Sequence, residues 1–207
     1  MPKVSEEYKE EKKNRILESA LRCFGEKGYE ATIIDDIVRE SNLSKGAIYN
    51  YFNSKEEIYL QLLQGRTNDF FSEVESEYHK RSSATDKLRF LFERFQNQPL
   101  TDERRKSMRL YTEFWLYSAR QEDLKKLMEE RYLQFTGFIK DIIKEGQETG
   151  EFNEQVDSEF ISQIFWALRD GNVLHYSLLG EEEQYKKTWE MIEGFFIGCL
   201  TTPKNRE

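Results

Sequence analysis

The 207-residue sequence is poor in the residues that staple, kink or ligate. Its two cysteines, Cys23 and Cys199, are far apart and in no metal-ligand spacing. That excludes a disulfide framework and a thiolate metal site and leaves two reduced core thiols. The three prolines, Pro2, Pro99 and Pro203, leave long stretches that no proline interrupts. The two histidines, His79 and His175, cannot form a local pair, and there is neither a phosphate-cradling Gly-rich loop nor a Gly-x-Ser-x-Gly elbow. No enzymatic activity, cofactor or metal is expected. Runs of about 18 apolar residues are absent, and the opening MPKVSEEYKEEKKN lacks the apolar stretch of a signal peptide. The expectation is a soluble, cytoplasmic protein with no membrane partner.

Strand-like alternation is also missing, whereas apolar residues recur every three or four positions, the period of an amphipathic helix. The fold class expected is all-α. A first helix is predicted over Glu6 to Lys27, with Ile16, Leu17, Ala20, Cys23 and Phe24 on one face and Gly28 as its stop. Thr32 is placed to cap a short helix carrying Ile37 and Val38, which Ser41 and Asn42 break. Ser44 is placed to cap a second short helix, Lys45 to Asn50, and Ser54 with Glu57 to open a long one. Further helices are predicted over Thr85 to Asn97, Asp102 to Ala119, Glu122 to Gly146, Asp157 to Leu179 and Glu182 to Thr201. A boundary near Lys55 divides the chain into residues 1–54 and 55–207, with the long helix as a bridge.

The formal net charge of -8 argues against nucleic acid until it is divided by region. Residues 1–55 hold ten basic and ten acidic side chains, so the whole acidic excess lies beyond them. Between Leu43 and Lys55 there are two lysines and no acid, a local field that favours phosphate. Two short helices joined by a tight turn, backed by Ile37, Val38, Leu43, Ile48 and Phe52, have the organisation of a helix-turn-helix, whose second helix enters the major groove. Ser44, Lys45, Gly46, Ala47, Tyr49, Asn50 and Tyr51 then face outward. Gly46 leaves room for backbone to approach DNA, Lys45 can reach a base or a phosphate, and Tyr49, Tyr51 and Lys55 suit phosphate. Each also has a plainer reading: a solvated lysine, a packing tyrosine, a capped core helix.

The segment GYEATIIDDIVRESNLSKGAIYNYFNSKEEIY resembles the helix-turn-helix signature of the TetR family of repressors, over roughly the first 60 residues. GQETGEF adds a weaker likeness further on. The resemblance implies an N-terminal three-helix DNA-binding domain, with Thr32 among its contacts, and a C-terminal helical bundle that binds a small molecule and dimerises. The sequence departs from the family pattern after Thr32, where Ile33 and Ile34 replace a frequent hydroxyl residue. Partners implied are a double-stranded DNA operator, a second copy of the chain and a small hydrophobic effector.

Beyond residue 80 the sequence is rich in aromatics, which serve either a packed core or a ligand wall. Tyr111, Trp115, Phe135 and Trp166 are the wall candidates, with Glu113 and Asp170 as polar residues inside apolar runs. If unpartnered and inward, those carboxylates favour a cation; an Arg169–Asp170 pair removes that preference. For the homodimer seam the last two helices offer Ile161, Ile164, Phe165, Leu168, Trp189, Ile192, Phe195 and Phe196. The alternative function, a helical adaptor without sequence-specific DNA binding, leaves the acid-free LSKGAIYNYFNSK unexplained.

Overall fold

The structure is a computed structural model whose described residues are 5–201, so that Pro2 and Pro203 lie outside it. Among the described residues there are nine helices and no strand: α1 (Glu6–Lys27), α2 (Ile34–Ser41), α3 (Lys45–Tyr49), α4 (Lys55–Tyr78), α5 (Ala84–Gln96), α6 (Asp102–Ser118), α7 (Glu122–Glu148), α8 (Ser158–Leu179) and α9 (Glu182–Thr201). Their bounds follow the predicted ones to within two residues. The chain separates into two compact units after Ser76, within α4. No helix is long and apolar enough to cross a membrane among the described residues.

The first unit is organised by local chemistry. The Ser5 hydroxyl accepts from the Tyr8 amide to open α1, and Gly28 closes it at φ 83° with its N–H on the Phe24 carbonyl. Ile16, Ala20 and Phe24 of α1 are buried, as are Ile37 of α2, Ile48 of α3 and Ile58 of α4. Phe24, Tyr29 and Tyr59 form a three-ring cluster with centroids 5.5–5.6 Å apart. The sharp turn from α2 to α3 is made by Asn42 at φ 52°, a left-handed conformation that asparagine tolerates better than most residues.

In the second unit α8 packs on α6, α7 and α9, while α5 lies against α7 and α9. Phe92, Phe95, Phe165, Trp166, Trp189 and Phe196 interlock at 5.3–6.3 Å in its centre. GQETGEF is a built corner. A Cβ on Gly146 would fall 2.1 Å from the ring of buried Phe152, so only glycine permits that approach. Gly150 turns the chain at φ 79°. The Gln147 amide donates to the Asn153 and Val156 carbonyls at 3.0 and 2.8 Å. The Glu151 carboxylate accepts from the Ala84 and Thr85 amides at 3.0 and 2.9 Å, occupying free donors at the start of α5.

Candidate nucleic-acid interface

The helix pair α2–α3 places most of the proposed contact residues on one open surface. Ser44 caps α3, its hydroxyl accepting from the Ala47 amide at 3.1 Å. Lys45, Gly46, Tyr49 and Asn50 are exposed, Ala47 and Tyr51 partly so, while Ile48 points into the core. A methyl group built on Gly46 would meet only open space, and no unusual φ calls for glycine there. Helix stability favours alanine at such a position, so nothing within the chain explains the missing side chain.

Two neighbours of this surface escaped the sequence reading. The Lys45 ammonium pairs with the Asp35 carboxylate at 2.8 Å, which puts an acid beside the recognition helix and holds the lysine above its usual range. Tyr51 lies near the start of α1, where Lys9 and Lys12 are also raised, Lys9 chiefly by Glu6 and Lys12 chiefly by Tyr8, with Tyr51 contributing to both. The nearness of Tyr51 to Lys9 and Lys12 depends on α1 passing residues some 40 positions away, which helical periodicity does not encode.

Thr32 and Lys55 do internal work. Thr32 is fully buried, and its hydroxyl donates to the Gly28 and Cys23 carbonyls at 2.7 and 3.2 Å. The expected cap of α2 is displaced by one residue: Ile33 stands at the N-cap, with its amide donating to the Asp36 carboxylate at 3.1 Å. Lys27 at 2.6 Å, that amide and Arg39 together hold Asp36 down to about 2. Lys55 donates to the carbonyls of Tyr29, Glu30 and Thr32 at 2.9, 3.1 and 3.0 Å and lies over the Tyr29 ring. These three bonds occupy all three ammonium protons, so the side chain clamps the α1–α2 loop.

Residues 16–62 match the family described as bacterial regulatory proteins, tetR family. Residues 84–196, more than half of the chain, match the family of BetI-type transcriptional repressors, C-terminal. The chain belongs to the tetR family of bacterial transcriptional regulators. It is similar to an uncharacterised HTH-type transcriptional regulator, YfiR, of Bacillus subtilis (strain 168), 29% identical over 189 residues that span 88% of each protein. The fatty acid metabolism regulator protein of the same organism is 23% identical over 159 residues, 77% of this chain and 80% of that one. Among solved structures, the fatty acid degradation regulator FadR from Bacillus halodurans shares the fold, with a TM-score of 0.78 at 20% identity over 96% of this chain and 98% of that one. FadR from Bacillus subtilis, solved in complex with stearoyl-CoA, has a TM-score of 0.74 at 19% identity, covering 90% and 98%. As a tetR-family protein the chain is a helix-turn-helix regulator and not an enzyme.

In the second unit of this tetR-family chain the wall candidates meet in pairs. Tyr111 packs edge-on to Trp115 at 5.6 Å, and Phe135 to Trp166 at 4.8 Å, where the Trp166 indole N–H donates to the Phe135 carbonyl. Burial, then Asp170, push the Tyr111 phenol up to about 12, so it remains a hydrogen-bond donor. Glu113 is exposed, and Asp170 pairs with Arg169 at 2.5 Å. The condition for a cation-preferring wall is therefore not met. Of the seam candidates, Ile161, Phe165, Trp189 and Phe196 are buried within the single chain, because α8 packs on α6, α7 and α9, and α9 on α5 as well. Ile164, Leu168 and Ile192 are partly exposed, and Phe195 is 60% exposed beside Met191 at 68%.

Proposed function

We propose that the chain is a repressor that binds a pseudo-palindromic operator as a homodimer in the cytoplasm and is released by a small hydrophobic effector. The observation that carries this reading is the surface of α3, where a cap, a lysine, a glycine that the fold does not require and an exposed tyrosine stand together. Two such helices about 34 Å apart meet successive major-groove faces of one side of a duplex. Ser44, Lys45, Gly46, Ala47, Tyr49, Asn50 and Tyr51 make the contacts, with backbone approaching DNA at Gly46. Thr32 and Lys55 support the surface from within.

The seam is formed by the outer faces of α8 and α9, with Ile164, Leu168, Ile192 and Phe195 joined by Met191 and Phe160, both exposed. Gly194, where a methyl group would meet open space, lies between Met191 and Phe195 and allows a second helix to come close. The effector acts in the second unit among Tyr111, Trp115, Phe135 and Trp166, and α4, continuous from Lys55 to Tyr78, carries the change toward α3. That a FadR of the same fold was solved with stearoyl-CoA supports a largely apolar effector.

Selection from randomised DNA followed by a salt-titrated gel shift tests the reading. Lys45→Ala and Tyr49→Phe weaken the selected operator with thermal stability and dimer mass unchanged. Gly46→Ala raises stability by about 0.5 kcal/mol while weakening DNA binding, a combination that a purely structural α3 does not give. Phe195→Asp shifts sedimentation toward monomer and carries operator affinity with it. Absence of any sequence preference would return the chain to the adaptor reading.

A further inference from the structure

The second unit contains buried polar groups that its own fold does not satisfy. Asn172 on α8 is 5% exposed, and neither its amide nitrogen nor its carbonyl oxygen has a partner. The Nε of Arg169 and the indole N–H of Trp189 are also buried and unpaired. Native interiors pair nearly all such atoms, so four together call for a missing partner. The same part of the unit holds a guanidinium without a carboxylate. Arg104 of α6 donates to the Gln98 carbonyl at 2.5 Å and to the Tyr185 hydroxyl at 3.0 Å, both uncharged, and no acid pairs with it among the described residues. Burial lowers its pKa first; Tyr185 opposes this, while Arg169 and Arg94 depress it further.

These groups converge through shared contacts. The Arg169 guanidinium lies over the Phe95 ring at 5.4 Å, and Phe95 stacks on Trp189 at 5.4 Å. The Tyr185 hydroxyl donates to the Phe95 carbonyl at 2.9 Å while accepting from Arg104. Tyr176 packs against Tyr185, seven residues along α8 from Arg169, and Asn172 falls between them on that face. Asp170 balances one of the two guanidinium charges. Three unpaired donors stand against one unpaired acceptor. Arg104 and Arg169 retain partial exposure, so a small molecule can reach them.

We propose that Arg104, Arg169 and Asn172 form a binding site for the carboxylate head of an apolar molecule whose body extends toward Tyr111, Trp115 and Phe135, the accessible rings of the effector wall. A carboxylate offers acceptors to the guanidiniums and the indole, supplies the missing negative charge and leaves the surrounding aromatic surface to its hydrocarbon part. This rests on the effector-controlled reading above and names the effector's chemical class. It is the opposite of the cation that Glu113 and Asp170 would have favoured had they stood inward and unpartnered.

The test uses the full chain with dodecanoate, octanoate and 4-phenylbutanoate, each beside its methyl ester and the amine of matching length, read by calorimetry and tryptophan fluorescence. Carboxylates bind about tenfold or more tightly than their esters and amines, and Arg104→Gln removes that preference while ester binding is unchanged. Arg104→Lys keeps the charge and restores part of it, which guards against a variant that fails to fold. Esters or amines binding as well as the acids, no binding by any of the acids, or an Arg104→Gln chain that retains the preference overturns the site. Operator release is scored separately. Carboxylates that bind with this preference but never release operator leave the site standing and sink the regulatory reading. Release by amines alone, without carboxylate binding, keeps the regulatory reading and sinks the site.

Discussion

The short helix α3 and the long helix α8 handle polar groups in opposite ways. Around α3 the cap and the two lysines are answered from close by: the Ser44 hydroxyl meets the Ala47 amide, Lys45 meets Asp35, and Lys55 gathers three carbonyls. Along α8 an asparagine is buried with both amide atoms unpaired, and an arginine is paired on one side only. A DNA-reading surface must be the same before and after it docks, so its frame is locked by internal bonds. A site that senses a ligand must gain something when the ligand arrives, and unpaired donors are a direct way to provide for it.

That contrast can be broken at its strongest point first. Lys55→Met leaves three loop carbonyls without their common donor and is expected to lower stability by about 3 kcal/mol in urea unfolding, with operator binding lost alongside it. A variant as stable as wild type, but weaker on specific and random DNA alike, would instead return Lys55 to phosphate contact. In the second unit, Gly146→Ala drives a methyl group into the buried Phe152 ring and lowers stability by about 2 kcal/mol, with DNA binding of the folded protein intact. Asn42→Val forces a β-branched residue into the left-handed turn and costs about 1 kcal/mol, whereas Asn42→Gly is close to neutral. The smallest effect sharpens the comparison most. Asn172→Leu exchanges unpaired polar atoms for an apolar group of similar size, so thermal unfolding moves by less than about 0.5 kcal/mol or toward greater stability. A loss of several kcal/mol would show that Asn172 has a structural partner.

Much of the first unit was legible because its signals are local. A serine three residues before a free amide, an apolar residue every third or fourth position and a glycine after the last turn are all contained within one helix length. Ser44 and Ser54 cap as read, the Ser54 hydroxyl accepting from the Glu57 amide at 3.2 Å. The internal bonds of Thr32 and Lys55 were not legible, because only the folded loop brings the carbonyls of residues 23 to 32 to that hydroxyl and that ammonium. In the second unit the helices were legible but their inward residues were not. Phe165, Trp189 and Phe196 share a wide apolar stripe with Phe195, and periodicity cannot divide such a stripe between the core of one chain and the surface offered to another. Arg104 could not be singled out, because nothing within DERRKS distinguishes an arginine that bonds inward from its neighbours.

The amino-acid sequence by itself determined the helical class, the order and limits of the helices, the helix-turn-helix and the family, since each rests on interactions between residues close along the chain or on a contiguous motif. Tertiary structure alone decided which charges are spent internally and which remain available. Lys55 is joined to carbonyls about 25 residues away, and Arg104 to a tyrosine 81 residues away. Electrostatic partnership falls off with distance in space, and distance in space is what folding assigns.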